Sequence, residues 1–195
     1  MMRLVLILGL VLLAACNRAA PDLRSQITRA QLDQISQPLL LAELPQLGTA
    51  AGVSPAGSNG EVVTWQTGDR VSLSFHDGVV VASRGLGQDL ISADVSNTVA
   101  ALRGGAGGFY EKFHSTLDGE HQTEFRAFQC EITGRAAESI VIFQHRHATT
   151  RIEETCHTPG LRVVNRYWLG GGIMWKSKQW VSPAVGYLLT ERLVR

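Results

Sequence analysis

The chain has 195 residues, of which 45% are hydrophobic and 18% charged, with a formal net charge of +1. These proportions describe a folded globule with a real core and exclude a disordered tail. Lysines and arginines are scattered without a polybasic block, so no electrostatic field points to nucleic acid or to an acidic membrane surface.

The first residues read as an export signal. Met1-Met2-Arg3 gives a short positive start, Leu4 to Leu13 is apolar apart from Gly9, and Leu13-Ala14-Ala15-Cys16 places small residues before a cysteine. Such a run is too short to cross about 30 Å of hydrocarbon, which takes about 20 apolar residues as a helix. It matches the h-region of a secretory signal with a small-residue cleavage site. A cysteine directly after the cut makes this a lipobox, which assigns residues 1–15 to the signal and Cys16 to lipidation as the new N-terminus. The alternative is a plain secreted protein with a chance cysteine. Acyl chains contribute about 0.8 kcal/mol per buried methylene, so several chains on one residue hold a protein durably at a leaflet. Asn17, where an aspartate would signal inner-membrane retention, points to the periplasmic face of the outer membrane.

Residues 16–25 read as a lipidated tether, and 26–195 as one β-rich domain. The spacing of Ile27, Leu32, Ile35, Leu39 and Leu40 predicts a helix between Arg24 and Leu44, interrupted by Pro38. Gly48 to Gly60 is rich in glycine, serine, alanine and proline and predicts a loop. Strand chemistry begins at Glu61. Val71, Leu73 and Phe75 alternate with polar residues, and Asp77-Gly78 predicts a tight hairpin returning through Val79 to Ser83. A short helix is expected between Asp89 and Arg103, ended by the glycines from Gly104 to Gly108. Six strands are expected after that: 123–133, 139–147, 150–157, 161–169, 173–181 and 187–194. Short turns such as Thr158-Pro159-Gly160 suit an antiparallel meander. The expected fold is mainly β, a single antiparallel domain (meander, half-barrel or sandwich) with a short N-terminal helix and minor helix in the middle.

Export sets the redox expectation. Cys130 and Cys156 should form a disulfide, since no C-x-x-C offers a redox or zinc motif. Phe128, Cys130 and Ile132 share one strand face, and Ile152, Glu154 and Cys156 share another, which suits a buried bridge.

Catalytic signatures are missing. Gly170 to Ser177 carries Trp175 where a phosphate loop needs glycine, and neither G-x-S-x-G nor H-E-x-x-H occurs. Glu153 and Glu154 alternate across a strand, the wrong geometry for a two-carboxylate hydrolase. His145 and His147 would share a strand face and could hold a metal, but their expected place beside a turn at Ala148-Thr149 favours solvated histidines. No cofactor or metal is expected, and no enzyme. Trp175 and Trp180 fall on opposite faces of one strand, which leaves at least one of them as a candidate for stacking on a sugar ring.

The chain resembles the YjbF/GfcB lipoproteins of exopolysaccharide and capsule operons. The likeness is carried by the lipobox and by Thr64-Trp65, Val71-Ser72-Leu73, Asp77-Gly78-Val79-Val80-Val81 and Arg84-Gly85-Leu86-Gly87-Gln88-Asp89-Leu90. The tail Trp175-Lys176-Ser177-Lys178-Gln179-Trp180-Val181-Ser182-Pro183 adds to it. The resemblance implies a β-rich outer-membrane lipoprotein that assists production or export of a surface polysaccharide, with export proteins or glycan as partners. Two other readings stay open: a periplasmic glycan-binding or glycan-active protein, and a carrier of lipid or lipoprotein.

Overall fold

A computed structural model describes residues 23–105, 107–117, 120 and 122–195. The signal, Cys16 and most of the expected tether lie outside the described residues. Twelve strands form among the described ones: β1 Leu39–Leu44, β2 Thr49–Asn59, β3 Val62–Gln66, β4 Ser72–His76, β5 Val79–Arg84, β6 Leu90–Asp94, β7 Tyr110–Leu117, β8 Thr123–Ile142, β9 His145–Thr158, β10 Leu161–Gly170, β11 Ile173–Ser182 and β12 Gly186–Val194. Three short helices accompany them: α1 Leu23–Gln26, α2 Arg29–Leu32 and α3 Ser96–Leu102. The strands make one antiparallel sheet in the order β5-β4-β3-β2-β1-β12-β11-β10-β9-β8-β7-β6. Chain neighbours pair at every step except from β5 to β6, and the first strand pairs with the last.

This sheet curls into a nearly closed barrel. Its two free edges, β5 and β6, are consecutive in the chain and are tied by side chains. Ser83 Oγ donates to Asp89 Oδ1 at 2.7 Å and accepts from the Leu90 amide at 3.0 Å, while Arg84 donates to the carbonyls of Leu90 and Ile91. Across the barrel, the Gln179 side chain of β11 accepts from the Val80 amide at 2.9 Å and donates to the Gly78 carbonyl at 2.8 Å. These bonds satisfy an edge amide of β5 and a carbonyl of the turn before it.

The β4–β5 hairpin forms as the sequence predicts. Asp77 and Gly78 both have positive φ, 49° and 83°, as a two-residue turn of this kind requires. Gly78 also packs so closely on Met174 that a Cβ there would lie 2.8 Å from its sulfur. The expected faces of β8 and β9 hold too, with Phe128, Cys130, Ile152 and Cys156 all buried.

Several expectations need correction. The segment from Arg24 to Leu44 is two single-turn helices followed by β1, because Leu40 and Leu41 each find a different buried environment on opposite faces of a strand. The Gly48–Gly60 loop is strand β2. Its first half pairs with β1 (Leu40↔Val53) and its second half with β3 (Ser54↔Gln66), with a register shift between Pro55 and Gly57. Neighbouring strands impose β structure on a segment whose sole buried side chain is Val53, and proline and glycine serve the corner. The break expected after Thr133 is a bulge between Ile132 and Gly134 in one continuous strand. The following turn is at Phe143-Gln144, both at positive φ, rather than at Ala148-Thr149. Strand β7 and the short β6 were not anticipated. The middle helix begins only at Ser96, where Asp94 Oδ1 accepts from the Ser96 amide.

β10 and β11 are buried on both faces. Inside, Tyr167 packs with Val79, Val99 and Ile152. Outside, Trp168 and Trp175 pack with Leu32, Leu41, Ile140, Ile142 and Leu193. The N-terminal helices and the tip of the β8–β9 hairpin therefore cover the outer face. Arg24 pins this cover, reaching Glu43 at 2.6 Å and Glu191 at 2.8 Å. Burial pushes the Glu191 carboxyl up, but hydrogen bonds from Arg24 and Lys176 more than offset it and hold the group below its ordinary value.

Candidate functional site

Two polar features stand out: a saturated cluster in the interior and an open cleft at one barrel mouth. The cluster centres on Glu154, which is 0% exposed. Its Oε1 accepts from Thr98 Oγ1 at 2.7 Å and Tyr110 OH at 2.9 Å. Its Oε2 accepts from Lys112 Nζ at 3.1 Å, Asn165 Nδ2 at 2.7 Å and Tyr167 OH at 2.9 Å. Burial alone would raise this carboxyl, yet Lys112 and the hydroxyl and amide donors hold it well below the usual range, at about 2. Burial beside that charge pushes both Tyr110 and Tyr167 up. With every oxygen occupied, Glu154 joins α3, β7, β9 and β10 and has no lone pair left for a substrate.

The disulfide lies next to this cluster. Cys130 and Cys156 are direct partners across β8 and β9, bonded at 2.01 Å with Cα atoms 4.0 Å apart. Although both sulfurs lie within 4.8 Å of the Glu154 carboxylate, they are bonded to each other and offer no thiolate to a metal.

His114 completes the interior. It stacks on Trp180 with centroids 5.7 Å apart and meets Phe128 edge-on at 5.2 Å. Among the described residues neither ring nitrogen has a hydrogen-bond partner. Burial, helped by the Lys112 charge, pushes it down to about 3, so the ring is neutral.

At one mouth, strand ends and turns surround an open cleft of about 850 Å³, within the roughly 300–1,000 Å³ of small-molecule sites. Its wall is apolar: Leu40, Val63, Trp65 and Phe75 on one side, Ile152, Leu169 and Met174 on the other, with α3 closing the floor through Val99 and Leu102. Its charged lining is Glu61, Asp77, Arg103, Arg135, Arg192 and Arg195. A second hollow of about 310 Å³ adjoins it, lined by Arg29, His145, His147 and Trp175 and sharing Arg192 and Arg195.

The structure places the sequence candidates as follows. Trp175 and Trp180 do lie on opposite faces of β11, but both are buried, 7% and 6% exposed, so neither stands free as the sequence allowed. Trp180 is enclosed by Phe128 and His114. Trp175 borders the second hollow, with His147 stacked on it at 3.7 Å and the Arg195 guanidinium 4.8 Å from its ring. Burial, then the positive charge of His145, Arg195 and Arg29, holds His147 below its ordinary value. Glu153 faces outward to Arg166 while Glu154 faces in. Sequence reading missed Tyr110, Lys112, Arg192 and Arg195 as site residues, and weighed Glu154 only on an apolar strand face and in a carboxylate pair with Glu153 that it set aside.

Comparisons with known proteins agree with this architecture. The family model described as "Group 4 capsule polysaccharide lipoprotein gfcB, YjbF" matches residues 12–193. The crystal structure of the hypothetical lipoprotein YmcC from Escherichia coli (K12) superposes with a TM-score of 0.71 at 16% identity, covering 91% of this chain and 98% of that one. At that identity the likeness is one of fold. No curated protein matches the chain.

Proposed function

The chain belongs to the YjbF family of group 4 capsule polysaccharide lipoproteins, and on that premise we propose that it is a non-catalytic accessory factor in assembly or export of a capsule or exopolysaccharide. It works at the periplasmic face of the outer membrane, held there through Cys16. The observation that carries the reading is the cleft: a broad, open surface of apolar walls and arginines, in a protein whose deeply buried carboxylate is fully engaged. Such a surface suits contact with a polymer passing by. Away from the cleft, side chains of three apolar clusters fill the barrel interior, which speaks against a lipid carrier.

The tether fits this role. From Cys16 to Leu23 an extended chain reaches at most ~25 Å, and Leu23 is packed against the outer-face cluster. The globule then stays close to its leaflet. No described helix is long and apolar enough to cross a membrane.

Deleting the gene should reduce surface polysaccharide, and the wild-type copy should restore it. Cys16→Ala should shift the protein from the membrane to the soluble fraction and abolish palmitate labelling. Unchanged polysaccharide after deletion would end this reading.

A further inference from the structure

We propose that Arg192 and Arg195 form an anion site at the barrel mouth that selects acidic sugar residues, carboxylate-bearing ones above all, over neutral sugars. The inference rests on the glycan reading above and adds the ligand's charge to it.

Asp77 is taken by Arg103, and Glu61 pairs with His76 at 3.1 Å. Arg135 donates to the Ala101 carbonyl and meets no carboxylate among the described residues. Arg192 and Arg195 likewise form no ion pair there. Four guanidiniums line the mouth against the two carboxylates Asp77 and Glu61, and three of the four meet no carboxylate among the described residues.

The second observation concerns Arg192 itself. It projects inward from β12, opposite Leu40, and its Nε is buried without a hydrogen-bond partner among the described residues. Buried donors are ordinarily satisfied, and one left open inside a cleft marks where an acceptor belongs. Its guanidinium sits 5.2 Å from the Trp65 ring, and that of Arg195 sits 4.8 Å from the Trp175 ring. Each cation is thus backed by an aromatic face that orients its fork without neutralising it. Both arginines line the main cleft and the second hollow, so an anionic group between them meets both. Guanidinium forks take carboxylates in paired hydrogen bonds. The apolar wall beside them, with Trp65 and Phe75, suits the C–H faces of a pyranose ring.

The test uses the purified protein with tetragalacturonic acid as the acidic probe and maltotetraose as the neutral one, followed by titration calorimetry at pH 7. The acidic probe should bind at least tenfold tighter, and several-fold weaker when salt rises from 20 to 150 mM. Arg195→Gln, an exposed position, should lose several-fold in affinity with unchanged circular dichroism and melting temperature. Arg192→Gln combined with it should lose tenfold or more. Arg151→Gln, whose partner Glu138 is outside the cleft, should bind as the wild type does. Equal affinity for the two sugars, or intact acidic binding in the double variant, would overturn the site. Sedimentation with phosphatidylglycerol vesicles in the absence of acidic-sugar binding would overturn it as well, by assigning the arginines to a lipid headgroup. If deletion abolishes the polysaccharide but the double variant restores it fully, this site fails while the accessory role stands. If deletion changes nothing while acidic binding persists, the role fails and the site stands.

Discussion

Lys112 Nζ lies 3.1 Å from Glu154 Oε2, with side-chain exposures of 5% and 0%. A buried ion pair of this kind adds little net stability, yet losing one partner leaves an uncompensated charge in a poor solvent. Lys112→Met should therefore destabilise the protein by about 3–5 kcal/mol. Glu154→Gln should also destabilise, since its amide N–H groups would face the donors that now point at Oε2. The double variant should recover part of the loss. Urea unfolding of all four proteins gives the coupling, and strictly additive effects would show that the two charges are independent.

Acid sensitivity should come in two windows. His114 is held neutral in the fold down to about 3, against an ordinary value of 6.5. The folded state thus binds fewer protons between those values, and its stability is complete above 6.5 and declines as pH falls toward 3. Glu154, depressed from 4.5 to about 2, contributes stability that is complete above 4.5 and is lost as pH falls through about 2. One such group changes stability by at most about 1.4 kcal/mol per pH unit. His114→Phe should flatten the decline between pH 6.5 and 4.5 in urea midpoints. An unaltered decline would remove His114 from the account.

Reduction of the Cys130–Cys156 bond, with its sequence separation of 26, should cost about 3.5 kcal/mol on a chain-entropy basis. Melting with and without reductant checks the magnitude. Denatured, unreduced protein carrying Cys16→Ala should show no free thiol.

The outer-face cover should peel when its anchor is cut back. Leu32 is 1% exposed among Leu41, Trp168 and Trp175, so Leu32→Ala should cost about 2–5 kcal/mol. Limited proteolysis should then cleave between 23 and 38 faster than in the wild type, with the strands beyond β1 protected.

How much of this was legible beforehand varies with the kind of signal. β4 and β5 were readable because Leu73 and Phe75 alternate with polar residues and Asp77-Gly78 dictates its turn. The faces of Cys130 and Cys156 followed from the same period of two. β2 was hidden, because its pairing comes from β1 and β3 and not from its own alanines and glycines. The Phe143-Gln144 turn gave no notice either, since neither residue is a usual choice at positive φ. At the site, Glu154 carried a signal in retrospect: a carboxylate between Ile152 and Cys156 on an apolar face must have a partner, and Lys112 on β7 supplies it. Arg192 and Arg195 showed none, for their meaning depends on which acids other residues have already claimed.

The joining of β1 to β12 has a consequence for the order of events as the chain is made. A polypeptide that emerges amino end first presents Leu39–Leu44 long before the strand that must lie beside it has arrived. One flank of that early strand stays open through nearly the whole passage, and registry with Glu191 and Arg192 forms only at the close. Long-range closure of this kind folds slowly and leaves strand edges vulnerable to association. The chain's exposure to holding factors and proteases before closure is thus written into its topology.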